Sequence, residues 1–179
     1  AKQLADLELK ILRQQLNPHF IFNALGAIQH FIQNMQGADA MEYLADFAKL
    51  MRMFLESSKQ SYIFLNDELE LIKLYVRLER LRFKDSFDVV YDIDPDLDLE
   101  MEDIPSLLLQ PFVENAINHG LFHLKRRGTL TIGMRNDEEE RIICTISDDG
   151  IGRKAAAELR KKTYRKHKSR ATQIVTERL

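Results

Sequence analysis

The chain has 179 residues and a formal net charge of −2, with 45% hydrophobic and 30% charged residues. This composition is typical of a soluble globular protein with one large or two small domains, and the near-neutral charge argues against general nucleic-acid binding. The single cysteine, Cys144, excludes an internal disulfide framework and a cysteine-based zinc site. No run of about 18 apolar residues is present, so the sequence predicts no membrane-spanning segment.

The N-terminal part of the chain is predicted to form a helical hairpin. Apolar residues recur at helical spacing through residues 1–35 and 39–59, and Gly37 marks the turn between these segments. Pro18 predicts a kink near His19, because an internal proline removes one backbone hydrogen bond and crowds a carbonyl in the preceding turn. Since a lone hairpin cannot bury its apolar stripes, we expect two copies to pair as a four-helix bundle.

A third helix is predicted over residues 66–83, where Asp67 and Glu70 fit a capping box. A solvated, ion-paired face is predicted for its later charged residues: Arg77, Glu79, Arg80 and Arg82. Residues 87–103 then alternate apolar and acidic side chains, which predicts a half-buried strand pattern broken at Asp94-Pro95-Asp96. These carboxylates lack the glycine and the glutamate spacing of a calcium loop, so no metal site is predicted here.

Residues 105–120 form the stretch around which the rest of the chain is organised. Their apolar spacing predicts a helix with one face in the core, Pro105 in its first turn and Gly120 as its C-terminal cap. Asn115 and Asn118 lie three apart on one face, although asparagine is disfavoured inside helices. This face either looks into a pocket or is solvated.

The glycine-rich turn near residue 150 favours the pocket. Two β-like runs, residues 128–134 and 141–147, are predicted to form a hairpin. Asp148-Asp149-Gly150-Ile151-Gly152 follows, and its glycines let the backbone approach a ligand closely. The very basic residues 153–170 then predict a mobile lid over an anionic ligand, with a nucleic-acid arm or a solvated helix face as alternatives.

Two signatures in this sequence resemble those of a known family. Asn115-Ala116 with Asp148-x-Gly150-x-Gly152 is similar to the N and G1 boxes of the Bergerat (GHKL) ATP-binding fold of gyrases, Hsp90-type chaperones, histidine kinases and MutL-type proteins. The wider phrase at 108–120 resembles LytS/YehU-type sensor histidine kinases more closely, as does Asn-Pro-His-Phe-Ile-Phe-Asn at 17–23. The signatures occur in the family's order, and the resemblance covers nearly all of the chain.

The resemblance implies an α+β protein of two domains. Residues 1–60 would be a helical hairpin that dimerises as a four-helix bundle and carries the phosphoacceptor. Residues 61–179 would be a two-layer α/β Bergerat-type ATP-binding domain, with a mixed sheet covered by helices on one face. The family's last strand is missing from this sequence, and Ala171 stands in a segment where the family usually carries glycine. Both departures predict weaker nucleotide binding.

The resemblance also assigns the cofactors, ATP and Mg²⁺, to particular residues. Asp148 would accept a hydrogen bond from the adenine amino group, and Gly150 and Gly152 would let the backbone approach the nucleotide. Asn115 would hold Mg²⁺ through its amide oxygen. The residues expected near the phosphates are Asn118, His119 and, from the basic lid, Lys161, Lys162 and Lys168.

His19 is the phosphoacceptor that the resemblance implies, and Asn23, one helical turn on, would orient its ring. An imidazole with an ordinary pKa near ~6.5 is largely neutral at physiological pH, so a ring nitrogen can act as a nucleophile. Gyrase-type relatives place a catalytic glutamate four residues before the N-box asparagine, where this chain has Pro111. Glu114, adjacent to that asparagine, should point elsewhere, so transfer to histidine is favoured over hydrolysis.

The predicted function is the core of a sensor histidine kinase of a two-component system. This ATP-dependent enzyme would phosphorylate itself at His19 and pass the phosphoryl group to an aspartate of a response-regulator receiver domain. The expected state is a homodimer without nucleic acid, in the cytoplasmic part of a bacterial inner-membrane protein whose membrane segments lie outside this sequence. A non-catalytic dimeric scaffold with a degraded nucleotide site is the alternative. A nucleic-acid binder using residues 153–170 would show steeply salt-dependent DNA binding.

Overall fold

The computed structural model describes residues 18–34, 36–137 and 141–152, and these form two compact units. The first unit contains the described residues up to Arg82 together with Asp103–Leu107, and the second contains Phe83–Glu102 and the described residues from Leu108 onward. Helices and strands occur in both units, so the α+β class is confirmed. The four-helix bundle and the Bergerat-type domain stay predictions.

Three helices build the described part of the first unit: α1 (Pro18–Gln33), α2 (Gly37–Ser57) and α3 (Leu65–Arg82). The predicted hairpin is present as α1 and α2, and Gly37 begins the second helix. The predicted kink at Pro18 involves residues outside the described part of the chain.

Aromatic side chains join the three helices of the first unit. The ring of Phe20 on α1 lies 5.0 Å from that of Tyr75 on α3, and the ring of Phe31 lies 5.7 Å from that of the fully buried Tyr43 on α2. Helix α3 buries side chains on several faces, among them Leu69, Leu71, Ile72, Leu74, Tyr75, Val76 and Leu78. It belongs to the same compact unit as the hairpin, and the predicted division into two functional domains after residue 60 stays a prediction.

The solvated face predicted for α3 is wrong at its centre, because the side chain of Glu79 is fully buried. Arg82, itself mostly buried, donates to this carboxylate from its guanidinium group. Burial raises the pKa of Glu79, and the ion pair with Arg82 only partly opposes that shift. Arg77 is exposed and pairs with Glu42 of α2, as predicted.

A small antiparallel sheet completes the first unit. Strand β1 (Tyr62–Phe64) pairs with β3 (Asp103–Pro105), with Ile63 opposite Ile104. The predicted capping box is not used as such, because α3 begins directly after β1 at Leu65 and the side chain of Glu70 pairs with Lys73. The carboxylate of the buried Glu68 instead accepts the backbone N–H of Leu107 at 3.0 Å.

A three-stranded mixed sheet forms the frame of the second unit. Strand β4 (Gly128–Asn136) lies between β2 (Phe87–Ile93), which is parallel to it, and β5 (Ile142–Asp148), which is antiparallel. The predicted hairpin is thus confirmed. The apolar residues of 97–101 are in turns rather than in a strand, since the backbone bonds Leu97 N–H to Asp94 O and Met101 N–H to Asp98 O close tight turns there.

One helical stretch packs on this sheet. Helix α4 (Gln110–Asn115) continues directly into a π-helical segment, Ala116–Leu121, and the two bury Val113 and Ile117 completely. The predicted start at Pro105 is wrong, because Pro105 ends strand β3 and Pro111 is the proline in the first turn.

The predicted cap at Gly120 is also wrong, since this residue lies buried inside the π-helical segment. The π turn is closed by a bond from Phe122 N–H to Ile117 O, five residues earlier. Predictions for the basic lid and for the final helix concern residues beyond 152, which lie outside the described part. Among the helices that are described, none combines the length and the apolar character needed to cross a membrane.

Candidate functional site

The turn after strand β5 packs directly on the π-helical segment. The amide of Gly150 donates to Asp148 Oδ1 at 2.9 Å, and the amide of Ile151 donates to the carbonyl of Gly120 at 3.2 Å. A Cβ atom on Gly120 would lie 2.6 Å from Asp148 Cγ, and one on Gly150 would meet the Gly120 carbonyl group even more closely. At Gly150 the obstructing atoms include backbone, so glycine is required there, and the two predicted motifs form one junction.

Three candidate residues lie on the helical stretch that contains Gly120. Asn115 ends α4, and Asn118 and His119 precede Gly120 in the π-helical segment. All three polar side chains are half-buried, whereas Asp148 is exposed. Single π turns inside α-helices are frequently found at functional sites. The structure therefore brings Asn118, His119 and the Asp148 turn to one place.

A positive backbone angle marks the end of the same turn. Gly152 has φ +78°, a conformation that residues with a side chain rarely adopt. The two carboxylates of the acidic pair bond to different partners. Asp148 bonds within the turn, and Asp149 bonds to the start of β4, where the amide of Thr129 donates to its Oδ1 at 2.6 Å.

The candidate phosphoacceptor belongs to the other unit. His19 is the second residue of α1, and Asn23 follows it by one helical turn as a half-buried residue. The sequence prediction of a helical His19–Asn23 pair is thus consistent with the backbone. Their catalytic roles stay predictions.

Comparison with known proteins identifies the family. A model of the histidine kinase family matches residues 7–87. The sensor histidine kinase YpdA of Escherichia coli K12 is 36% identical over 156 residues, which is 85% of this chain and 27% of that protein. The sensor protein LytS of Staphylococcus haemolyticus is 32% identical over 152 residues, covering 85% of this chain and 25% of that protein.

The chain belongs to the LytS-type sensor histidine kinase family. A third relative, the sensor histidine kinase BtsS of E. coli K12, is 34% identical over 148 residues, or 82% of this chain and 25% of its own length. The chain spans about a quarter of the length of these relatives. Because 148 residues cannot fit within 7–87, the similarity to this family extends from the helical unit into the unit with the glycine junction.

The roles of two residues of the junction, Gly120 and Asp149, were not predicted from the sequence of this histidine kinase family member. Gly120 was predicted as a helix cap, although its role is to receive the Asp148 turn. Asp149 was given no role, yet its carboxylate also accepts a bond from Arg126 at 2.7 Å. That hydrogen bond lowers the pKa of Asp149. The adjacent acidic pair in the sequence was the available signal, but only the fold reveals the partner of the second carboxylate.

Proposed function

We propose that the chain is an ATP-dependent protein-histidine kinase core that phosphorylates its own His19. The phosphoryl group then passes to an aspartate of a response-regulator receiver domain, on the cytoplasmic side of a bacterial membrane where ATP is available. The observation that carries the proposal is the junction of Gly120 with Asp148 and Gly150 beside Asn118 and His119, in a chain of the sensor histidine kinase family.

The nucleotide is proposed to bind at this junction. The carboxylate of Asp148 is exposed, and its Oδ1 is oriented by the Gly150 amide, which suits an acceptor for the adenine amino group. Gly152, with no described atom within 4 Å of where a Cβ would stand, leaves the backbone open to close approach by the nucleotide, and Gly150 lets the turn pack against Gly120. Asn118 and His119, both half-buried on the facing helix, are assigned to the phosphates.

Mg²⁺ is proposed to bind through the side chain of Asn115. Among the described residues, no group of three or more His, Cys, Asp or Glu side chains is placed to hold a metal ion. Mg²⁺ prefers oxygen ligands, keeps several waters and commonly takes the rest of its ligands from substrate phosphates. A single amide oxygen fits such a site, and the ion, when bound, would neutralise developing negative charge on the phosphates.

Histidine phosphorylation needs one bond to form and one to break. A ring nitrogen of neutral His19 attacks the γ-phosphorus, and the bond to the bridging oxygen breaks, so that ADP leaves and the ring loses its proton to solvent. In the second step an aspartate oxygen of the receiver domain attacks phosphorus, the N–P bond breaks, and the leaving ring takes a proton back from solvent. Asn23 is proposed to hold the ring, because it lies on the same face of α1 one turn later.

Hydrolysis of ATP is not the proposed reaction. Pro111 has no side chain that could act as a base, and it occupies the first turn of α4. Glu114 is half-buried and accepts a hydrogen bond from the side chain of Gln110 at 3.4 Å. The helix therefore offers no free carboxylate at the position where gyrase-type ATPases activate water.

A homodimer is proposed because the hairpin leaves an apolar stripe uncovered within its own unit. Phe22 is 73% exposed and is followed at helical spacing by exposed Leu25 and Ile32 on α1. On α2, Met41 is 70% exposed and Leu44 is also exposed. Exposed apolar stripes of this kind are typical of helices that pair with a second copy in a four-helix bundle.

The test is incubation with Mg²⁺ and γ-labelled ATP, comparing the native chain with His19→Ala. His30→Ala is the matched control, because His30 is an exposed histidine on the same helix whose ring contacts Asn34. We expect acid-labile, alkali-stable label in the native chain and in His30→Ala, and none in His19→Ala. Label that survives in His19→Ala, or a native chain that binds Mg-ATP without becoming labelled, would refute the proposal.

A further inference from the structure

Four hydrogen bonds tie the nucleotide-binding turn to the start of strand β4. Arg126 Nη1 donates to Asp149 Oδ2, and Nη2 donates to the Asp149 carbonyl, both at 2.7 Å. The amide of Thr129 donates to Asp149 Oδ1 at 2.6 Å, and the amide of Asp149 donates back to the Thr129 carbonyl at 3.2 Å. One guanidinium group thus holds both the side chain and the backbone of the residue between Asp148 and Gly150.

Asp149 contacts a different part of the protein from the residues on either side of it, Asp148 and Gly150. The Asp148 carboxylate and the Gly150 backbone lie against Gly120 on the helix, whereas Asp149 is held by Arg126 and Thr129 on the strand. A turn fixed from both sides keeps its backbone and its acceptor carboxylate in one arrangement before ligand arrives. Such pre-organisation raises affinity because less ordering remains to be done on binding.

We infer that Arg126 is a positioning residue for the nucleotide-binding turn, acting through Asp149. This inference rests on the proposed function, since it assumes that the turn binds ATP. Within the described part of the chain, Arg126 makes no hydrogen bond to Asp148 or Gly150. Its effect on the nucleotide is therefore indirect.

Arg127 supplies a matched control one residue away. Its guanidinium pairs with Asp88 on β2 through bonds of 2.6 and 2.5 Å and does not contact the turn. Both arginines are exposed and each makes a two-bond contact with an aspartate. Because exposed ion pairs contribute little to global stability, Arg126→Ala and Arg127→Ala should unfold at nearly the same temperature as the native chain.

The first measurement is the Kd of Mg-ATP by titration calorimetry for the native chain, Arg126→Ala and Arg127→Ala. We expect Arg126→Ala to weaken binding about three- to fivefold, near the upper limit for an exposed ion pair, and Arg127→Ala to change it less than about twofold. Arg126→Lys should be intermediate, because one ammonium group cannot reproduce both bonds of the guanidinium fork. Equal effects of the two alanine substitutions would overturn the inference.

The second measurement needs no nucleotide. Hydrogen exchange by NMR reports on the amides of Gly150 and Ile151, which donate to Asp148 and Gly120. We expect Arg126→Ala to accelerate exchange of both amides about three- to fivefold, with no change in Arg127→Ala. Unchanged exchange in Arg126→Ala would overturn the positioning role. If the native chain does not bind Mg-ATP, the proposed function fails, and the exchange rates still decide whether Arg126 holds the turn.

Discussion

Replacing Gly150 with alanine tests the junction between the Asp148 turn and the π-helical segment. The added Cβ atom would lie inside 2.5 Å of both the carbonyl carbon and the carbonyl oxygen of Gly120. Ordinary van der Waals contact begins near 3.4 Å, so the two backbones must separate by about 1 Å. Both obstructing atoms belong to a buried backbone, which cannot turn aside as the end of a side chain could.

The cost of that separation can be bounded from overpacking in protein cores. Forcing an extra methyl group into a closely packed site costs about 1–3 kcal/mol. If nucleotide binds at the junction as proposed and this cost falls on the binding conformation, the affinity for Mg-ATP should fall by about 5- to 150-fold, since ~1.4 kcal/mol corresponds to a factor of ten. The bond from Ile151 N–H to Gly120 O, now 3.2 Å, should also be lost.

The assay combines titration with Mg-ATP and urea unfolding, and Gly133→Ala is the control. Gly133 is a strand residue of the same unit, and a Cβ there would meet its neighbours at 3.5 and 3.7 Å, which is ordinary contact. We expect Gly133→Ala to bind Mg-ATP as the native chain does and to be at least as stable, because glycine inside a strand is unfavourable. A Gly150→Ala chain with native stability and native affinity would refute the close approach.

Two further predictions concern buried glutamates of α3. For Glu79→Gln, the raised pKa of Glu79 means that the folded chain holds this proton more tightly than the unfolded chain. The stabilisation that protonated Glu79 provides is therefore complete below its ordinary pKa of 4.5 and is lost as pH rises through the folded-state pKa. In urea unfolding, Glu79→Gln should therefore gain stability relative to the native chain as the pH rises. For Glu68→Ala, the N–H of Leu107 loses its acceptor inside the protein, and we expect urea unfolding to show a loss of about 1–3 kcal/mol.

Each of these predictions has a control and a contrary outcome. Glu70→Ala, on the exposed side of the same helix, should change stability by less than about 0.5 kcal/mol. If it matches Glu68→Ala, the bond to Leu107 is not the cause of the loss. A stability difference between Glu79→Gln and the native chain that stays constant with pH would contradict the raised pKa of Glu79.

Much of the secondary structure follows from local pattern. Apolar residues at helical spacing located α2, α3 and the end of α1 to within a few residues, and β-like runs located β4 and β5. These signals are reliable because each element must turn one set of side chains toward a core. The start of α4 was less predictable, because Pro105 and Pro111 could each occupy a first helical turn. Only the pairing of Pro105 with Tyr62 shows that Pro105 belongs to a strand.

Charge patterns along a helix were the weakest guide. Glu79 reads as a surface residue among arginines, yet it is buried beside Arg82, its ion-pair partner three residues later on the same helix. Glu68 was likewise indistinguishable from Glu70 by sequence, although one is buried and the other exposed. Burial of a charged side chain depends on which neighbours arrive from distant parts of the chain, and a local window contains no information about them.

The sequence by itself determined the family resemblance, the α+β class and the residues proposed for the chemistry, because motifs are local in the chain. Only the tertiary structure decided how they meet: Gly120 against Gly150, and Asp149 against Arg126, 23 positions apart. It also decided that α3 joins the helical unit, because its apolar side chains are buried on several faces. Contacts between distant segments depend on packing the whole chain at once, and for that reason they leave no local signature.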